Sequence, residues 1–146
     1  MTPDIVIFDL DGTLADIEHR QHLVKGRKKQ WRQFFAACVH DKPHKAVITM
    51  LQALHDRFQI YIVSGRSEEV RTETEEWLSL NQVPYHALIM RAKGDFTPDN
   101  ILKIRWVEDG RIEKSRILCV FDDRDKVVKM WRDHGIPCFQ VAEGDF

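Results

Sequence analysis

Cysteine is scarce in this chain, which has three cysteines in 146 residues. Cys38, Cys119 and Cys138 lie far apart in the sequence and form no Cys-x-x-Cys pair. This spacing argues against both a zinc site and a disulfide framework. Because unpaired cysteines are typical of reducing compartments, the sequence favours a cytoplasmic location.

Long apolar runs and an excess of one charge are also absent. No segment approaches the roughly 20 apolar residues that cross a bilayer, and the N-terminus has no signal-peptide pattern, so we expect no membrane contact. Lysine and arginine total 22, against 23 aspartate and glutamate residues. That balance gives no overall basic field for coating long nucleic acids, although it leaves room for a local basic patch.

Linkers, repeats and low-complexity segments are missing as well, so residues 1–146 are expected to form a single domain. Short apolar runs typical of buried parallel strands recur along the chain, with amphipathic stretches between them. This alternation predicts an α/β fold, a three-layer Rossmann-like parallel sheet of about five strands with helices on both faces. The expected strands are Asp4–Phe8, Gln59–Val63, Ala87–Met90, Ile117–Phe121 and Cys138–Val141.

The apolar spacing of the expected helices also indicates which residues face the sheet. We expect Met50 to point inward from a helix over His44–Phe58, and Ile101 to point inward from a helix that starts at Thr97-Pro98. Two further helices complete the pattern, one capped by Ser67 and one over Lys126–His134.

Polar motifs follow three of these strands. Ligands of parallel α/β sheets bind beyond the carboxyl ends of the strands, so these motifs are expected to share one crevice. Four carboxylates in one crevice would repel each other unless a divalent cation lay among them, and an oxygen-only shell suits Mg²⁺. The motifs are Asp9-Leu10-Asp11-Gly12-Thr13, Ser64-Gly65-Arg66 and Asp122-Asp123-Arg124.

The two carboxylates of the first motif can divide one reaction between them. Extended backbone points Asp9 and Asp11 in the same direction. One can attack a phosphorus atom while the other passes a proton to the leaving oxygen, and Gly12 allows the sharp turn that follows. Each motif alone is also typical of a turn or a helix cap. Their occurrence together, each after an apolar strand, favours a site.

With these motifs the chain resembles phosphatases of the haloacid dehalogenase (HAD) superfamily. DLDGT, SGR and DD match the first, second and fourth sequence motifs of that superfamily. The resemblance implies that Asp9 is the nucleophile and forms an aspartyl-phosphate, and that Asp11 is the general acid and later the base. A third-motif lysine is also implied, with Lys93 and Lys103 as candidates. Phosphate binding is implied for Thr13, Ser64 and Gly65, and Mg²⁺ binding for Asp9, Asp11, Asp122 and Asp123.

A narrower resemblance covers Val120–Phe146, which is similar to the C-terminal part of 3′-phosphatase domains in the bacteriophage polynucleotide kinase–phosphatase family. It implies substrate-binding roles for Arg20, Arg66 and Asp99. It selects Lys103 as the third-motif lysine, because an acidic residue stands four positions before it. The implied substrate is a 3′-phosphate on a DNA or RNA end.

The same resemblance does not extend to phosphate transfer from a nucleotide. No Gly-x-x-x-x-Gly-Lys-Ser/Thr string occurs in the chain, so we expect no kinase activity. A separate kinase or ligase working beside the protein is left open.

The segment between the first two motifs is too short for a full cap domain, and we expect a small flap at about residues 16–43. It is rich in basic residues, with Lys25–Lys29 as the densest stretch. A grip on a nucleic-acid end would use such residues, together with an aromatic ring that stacks a base. We expect instead that Trp31, Phe34 and Phe35 pack on the core.

Two alternative functions remain open at this stage. The first is a phosphatase of free nucleotides or other small phosphorylated metabolites, for which a preference for mononucleotides over oligonucleotides would be the sign. The second is a non-enzymatic phosphate-sensing or phosphoacceptor module. Such a module would hold a stable phosphate on Asp9 and would not need Asp11 as an acid.

Overall fold

The computed structural model describes residues 2–146 of the chain, and five parallel strands form its central sheet. The spatial order of the strands is β5-β4-β1-β6-β7, so β1 occupies the middle. Phe8 of β1 lies opposite Ile62 of β4 and Phe121 of β6. The strands are β1 (Ile5–Phe8), β4 (Gln59–Ser67), β5 (Ala87–Arg91), β6 (Ile117–Asp122) and β7 (Cys138–Gln140).

Helices cover both faces of this sheet. Successive residues of β1 point to opposite faces and all four are buried, because each face has its own apolar core. Two helices pack on the face of Ile5 and Ile7, and two others pack on the face of Val6 and Phe8. The first pair is α4 (Asp99–Glu108) and α5 (Asp125–Asp133), and the second is α2 (Lys45–His55) and α3 (Arg71–Leu80).

The sequence predicted all five strands and the four helices around them. The three-layer parallel arrangement is confirmed, with small differences at element ends. Strand β4 continues through the SGR motif to Ser67, with an irregular register after Val63. Helix α4 begins at Asp99, one residue after Pro98.

Two inward-facing positions were predicted incorrectly. Met50 is 53% exposed, whereas Leu51 of the same predicted face is buried, as is Ile48, which was not predicted to face inward. Ile101 is 51% exposed, whereas Leu102 is buried. The other residues predicted on these two faces do contact the core, namely Val47, Leu51, Leu54, Leu102 and Ile104. Several apolar residues in succession leave the exact rotation of a helix to tertiary packing, so the error is confined to Met50 and Ile101.

An excursion of the chain lies between two short antiparallel strands, β2 (Ala15–Asp16) and β3 (Lys42–Pro43). It contains a 3₁₀ helix over Glu18–Leu23, helix α1 (Trp31–Ala36) and a 3₁₀ turn over Ala37–His40. Only residues 9–14 separate β1 from β2, so this segment begins near the carboxyl end of β1. We call residues 16–43 the flap.

None of the helices within residues 2–146 has the length and the apolar composition required to cross a membrane.

Candidate active site

The carboxyl ends of β1, β4 and β6 open into a cleft of about 1150 Å³. Asp9 and Asp11 from β1 and Asp122 and Asp123 from β6 line the floor of this cleft. Residues of the flap form one part of its wall, and the connection between β5 and α4, residues 92–98, forms another. The strand-end motifs therefore converge as the parallel topology requires.

Three carboxylates on the cleft floor form a compact acidic group. Oxygen atoms of Asp9, Asp122 and Asp123 all lie within 4.8 Å of one another, and all three residues are buried. Burial, reinforced by the charge of Asp122, raises the pKa of Asp9 well above its ordinary value. The same two causes raise the pKa of Asp123 to about 6. The group is thus short of positive charge.

Lys103 supplies one positive charge to this group. Its Nζ donates to Asp9 Oδ1 at 2.8 Å and to Asp122 Oδ2 at 3.0 Å, from a side chain that is 2% exposed. Burial opposes the charged form, but Asp122 and Asp9 outweigh it and raise the pKa of Lys103. Lys93 is 77% exposed at its side chain and lies 3.8 Å from Glu69. Of the two candidate lysines, Lys103 is the one beside Asp9.

Asp11 lies outside the acidic group and is held by two arginines. Arg20 Nη2 and Arg66 Nε each donate to Asp11 Oδ1 at 2.8 Å. Burial favours the neutral carboxyl, but Arg66 and Arg20 outweigh that effect and lower the pKa of Asp11. The structure therefore gives Asp9 and Asp11 opposite surroundings, although only Leu10 separates them. It brings together Asp9, Asp122 and Asp123, whose carboxylates could hold a metal ion, and leaves the carboxylate of Asp11 out of that set.

Asp41 is the functional residue that the sequence analysis missed. Its carboxylate is fully buried and accepts from Arg20 Nε and Nη2 at 2.8 Å and from Arg66 Nη2 at 2.7 Å. His19 Nε2 lies 2.6 Å from its Oδ1. Asp41 and Asp11 thus share both guanidinium groups. No sequence pattern marks Asp41, because its arginine partners are 21 and 25 residues away.

The remaining predicted residues surround the acidic group. Thr13 is buried and its Oγ1 donates to Asp9 Oδ2 at 3.2 Å. Ser64 Oγ accepts from the backbone N–H of Arg66 at 3.0 Å. Gly65 lies so close to the Asp99 carboxylate that a Cβ atom would collide with it. Glycine is therefore required there if Asp99 is to approach the site.

Asp99 stands at the mouth of the cleft between two further arginines. Arg91 Nη2 donates to its Oδ1 at 2.6 Å, and Arg124 Nη1 donates to its Oδ2 at 3.2 Å.

Position 12 requires glycine for two reasons. Its φ is +85°, and a Cβ atom there would collide with the Asp123 carboxylate. The first and fourth motifs are therefore in direct contact.

The aromatic residues of the flap divide into two groups. Phe34 is buried, and the guanidinium of Arg20 lies 4.3 Å from its ring centroid. Phe35 is partly buried against the core. The expectation of core packing is wrong for Trp31, which is 41% exposed and lines the cleft. Trp31 begins α1, and the first turn of this short helix extends beyond the core.

Comparisons with known proteins agree with this geometry. The family model of the polynucleotide kinase PNKP phosphatase domain matches residues 3–146. Over 139 residues the chain is 31% identical to a protein of the Autographa californica nuclear polyhedrosis virus named "Putative bifunctional polynucleotide kinase/RNA ligase". That match covers 92% of this chain and 19% of the viral protein.

Solved structures show the same relationship. A chain in the structure of the Pnkp1/Rnl/Hen1 RNA repair complex is 34% identical, with a TM-score of 0.82 over 99% of this chain and 44% of that one. A HAD family enzyme from Bacteroides thetaiotaomicron, solved with magnesium and inorganic phosphate, is 13% identical. Its TM-score is 0.58, over 99% of this chain and 96% of that one, and at this identity only the fold is shared.

The chain spans about a fifth of the viral relative and less than half of the relative in the repair complex. Within that span the family model, the sequence identity and the shared fold agree. The chain is therefore a HAD-type phosphatase domain, a hydrolase, and it belongs to the PNKP phosphatase-domain family.

Proposed function

We propose that this protein is a Mg²⁺-dependent phosphomonoesterase that removes the 3′-phosphate from a DNA or RNA end. The observation that carries the proposal is the position of Asp9. This carboxylate lies on the floor of an open cleft, beside Lys103 and two further carboxylates. A nucleophile, a fixed cation and a metal-binding set are thus within reach of one phosphoryl group.

Magnesium fits the acidic group by its chemistry. Asp9, Asp122 and Asp123 offer only oxygen ligands, and burial together with the charge of Asp122 raises the pKa values of Asp9 and Asp123, so that a bound cation would favour their ionised forms. Mg²⁺ prefers one or two carboxylates together with waters and a substrate phosphate. Bound there, it would neutralise carboxylate and phosphate charge so that two anions can meet. The enzyme from Bacteroides thetaiotaomicron, which shares the fold, was solved with magnesium and phosphate.

The reaction proceeds in two displacements. An oxygen of Asp9 attacks phosphorus, the bond from phosphorus to the 3′-oxygen breaks, and Asp11 gives its proton to that oxygen. Water then attacks the phosphorus of the aspartyl-phosphate and passes a proton to Asp11. Inorganic phosphate leaves, and both carboxylates return to their starting states. Lys103 stays beside Asp9 and stabilises the negative charge of the transferring group.

Asp11 must be protonated to act as the first acid, although Arg66 and Arg20 lower its pKa in the free protein. An incoming phosphate brings negative charge close to Asp11 and raises that pKa again. The two arginines also fix the direction of the carboxyl group, since both donate to the same oxygen. In the second step the ionised form that they favour is the one needed to accept the proton from water.

The neighbouring residues position the phosphate and the nucleotide that carries it. We assign Ser64, Gly65 and Lys103 to the phosphoryl oxygens and Thr13 to the orientation of Asp9, to which it donates. Arg20 and Arg66 act through Asp11. We assign Asp99, which lines the cleft, to the nucleotide that carries the phosphate.

The proposed substrate class rests on the shape of the site and on the relatives. Within residues 2–146 no full cap closes the cleft, so a strand end can enter while the rest of the strand stays outside. The relatives are named for polynucleotide kinase, RNA ligase and RNA repair. We therefore place this single domain, with its flap at residues 16–43, among the enzymes that heal nucleic-acid ends. A separate kinase or ligase is the expected partner.

The test compares phosphate release from three matched substrates in the presence of Mg²⁺. They are a 3′-phosphorylated oligonucleotide, its 5′-phosphorylated twin and the corresponding 3′-mononucleotide, with Asp9→Asn as the inactive control. The proposal predicts preferential release from the 3′-phosphorylated oligonucleotide. Equal or faster release from the mononucleotide would assign the protein to small-molecule phosphatases instead.

A further inference from the structure

Two exposed aromatic rings line the cleft, one in the flap and one in the connection between β5 and α4. Trp31, on the flap wall, is 41% exposed, and Phe96, in the connection between β5 and α4, is 82% exposed. Neither ring is needed by the chemistry at Asp9. Exposed aromatic rings that line a cleft are typical of binding surfaces, which makes the position of these two informative.

The ring of Trp31 packs on two other aromatic rings and remains partly exposed to solvent. Its ring stacks on Phe35 at a centroid distance of 5.9 Å and meets the edge of Phe34 at 5.8 Å. Phe34 is buried and lies under the guanidinium of Arg20. The indole therefore rests on packed side chains, and one of them, Phe34, contacts Arg20, which donates to Asp11. A platform of this kind can stack a flat ligand without rearranging the flap.

The flap wall also carries a concentration of positive charge. Between His19 and His40 there are six lysine and arginine residues and no aspartate or glutamate. Three of them, Lys25, Lys29 and Arg32, line the cleft. Lys29 Nζ lies 5.8 Å from the centroid of the Trp31 ring. Within residues 2–146, no carboxylate comes within 4.0 Å of the charged groups of these three residues.

We propose that the flap wall and Phe96 bind the single-stranded nucleotides that precede the terminal 3′-phosphate. Trp31 and Phe96 stack the bases, and Lys29 and Arg32 contact the phosphates between them. The proposal rests on the proposed function and extends it from the phosphate to the strand. Aromatic and basic side chains that line one cleft suit single-stranded nucleic acid, whose bases stack on aromatic rings and whose phosphates attract basic groups.

Tryptophan fluorescence gives a direct reading of the proposed stacking. Of the four tryptophans, Trp31 is the one exposed to solvent, since Trp77, Trp106 and Trp131 are at most 6% exposed. The probe is a 3′-phosphorylated oligothymidylate added to the Asp9→Asn protein, which binds without turnover. We expect saturable quenching that weakens with added salt and disappears in Trp31→Phe. Equal quenching by inorganic phosphate, or no quenching, would overturn the proposal.

Substrate selectivity tests the same surface in the active protein. The measured quantity is kcat/KM for the oligonucleotide divided by kcat/KM for 4-nitrophenyl phosphate. We expect Trp31→Ala and Phe96→Ala each to lower this ratio by about tenfold. Lys29→Ala should reduce the slope of log affinity against log salt concentration by about 0.7. A ratio that stays at the wild-type value in both aromatic variants would contradict the proposal.

Two variants serve as matched controls. Lys28 is an exposed flap lysine that does not line the cleft, and Phe139 is a 57% exposed aromatic on β7. Lys28→Ala and Phe139→Ala should leave the ratio and the salt slope unchanged. Wild-type protein that hydrolyses the nitrophenyl ester but no oligonucleotide would refute the proposed substrate. Hydrolysis of the oligonucleotide with an unaltered ratio in every variant would refute the strand-binding surface alone.

Discussion

Replacement of Asp41 by asparagine tests how the flap is joined to the site. Asp41 is fully buried and neutralises the two arginines that also hold Asp11. In Asp41→Asn the shape is kept, but the charge is lost and an amide group faces guanidinium donors. Arg20 and Arg66 would then share Asp11, which is 20% exposed at its side chain, as their remaining carboxylate partner.

The size of the effect follows from the burial of all three side chains. Removing one partner of a buried ion pair costs about 3–5 kcal/mol, because the other charge stays desolvated. For a domain of this length, that loss corresponds to a fall of about 10–20 °C in melting temperature. Activity should fall as well, since Asp11 loses the fixed arginines that orient its carboxyl group.

Urea denaturation at neutral pH is the appropriate assay, with Asp56→Asn as the matched control. Asp56 is 95% exposed at its side chain and lies 3.8 Å from His55. Loss of this surface pair should cost less than about 1 kcal/mol. A free energy of unfolding for Asp41→Asn within 1 kcal/mol of the wild type would refute the structural role assigned to Asp41.

Three further predictions concern the acidic group. Lys103→Met should lower kcat by about a hundredfold or more, whereas Lys93→Ala should leave it near the wild-type value. The opposite result would identify Lys93 as the lysine of the third motif. Asp9→Asn should abolish turnover and, in chelator, should not lower the melting temperature, because ionising Asp9 is unfavourable there. Stability in chelator should fall as pH rises through about 6, since the folded state binds a proton at Asp123 more tightly than the unfolded chain. Urea denaturation from pH 5 to 7.5 should show a weaker dependence in Asp123→Asn.

Most of the fold and the floor of the site could be predicted from the sequence. Strands of a parallel sheet are buried on both faces and appear as apolar runs, and their polar ends meet at one edge by topology. The positions of Asp9 and Asp122 follow from this rule. The choice of Lys103 over Lys93 came from family resemblance, and the structure places Lys103 beside Asp9.

The parts that the sequence did not predict depend on tertiary contacts. Asp41 gains its importance from two arginines that are distant in sequence, and a single aspartate carries no periodic signal. The exposure of Trp31 depends on how the short helix α1 sits on the flap, which its composition does not determine. The rotations of α2 and α4, which expose Met50 and Ile101, were likewise decided by packing against the sheet.

The central claim is that the phosphoryl group is transferred first to Asp9 and then to water. The stereochemical course at phosphorus tests this claim most directly, using a 3′-phosphorothioate made chiral with oxygen isotopes and Mg²⁺ in the assay. Two successive in-line displacements, first by Asp9 and then by water, predict overall retention of configuration. Inversion would show a single direct attack by water and would contradict the role of Asp9 as nucleophile.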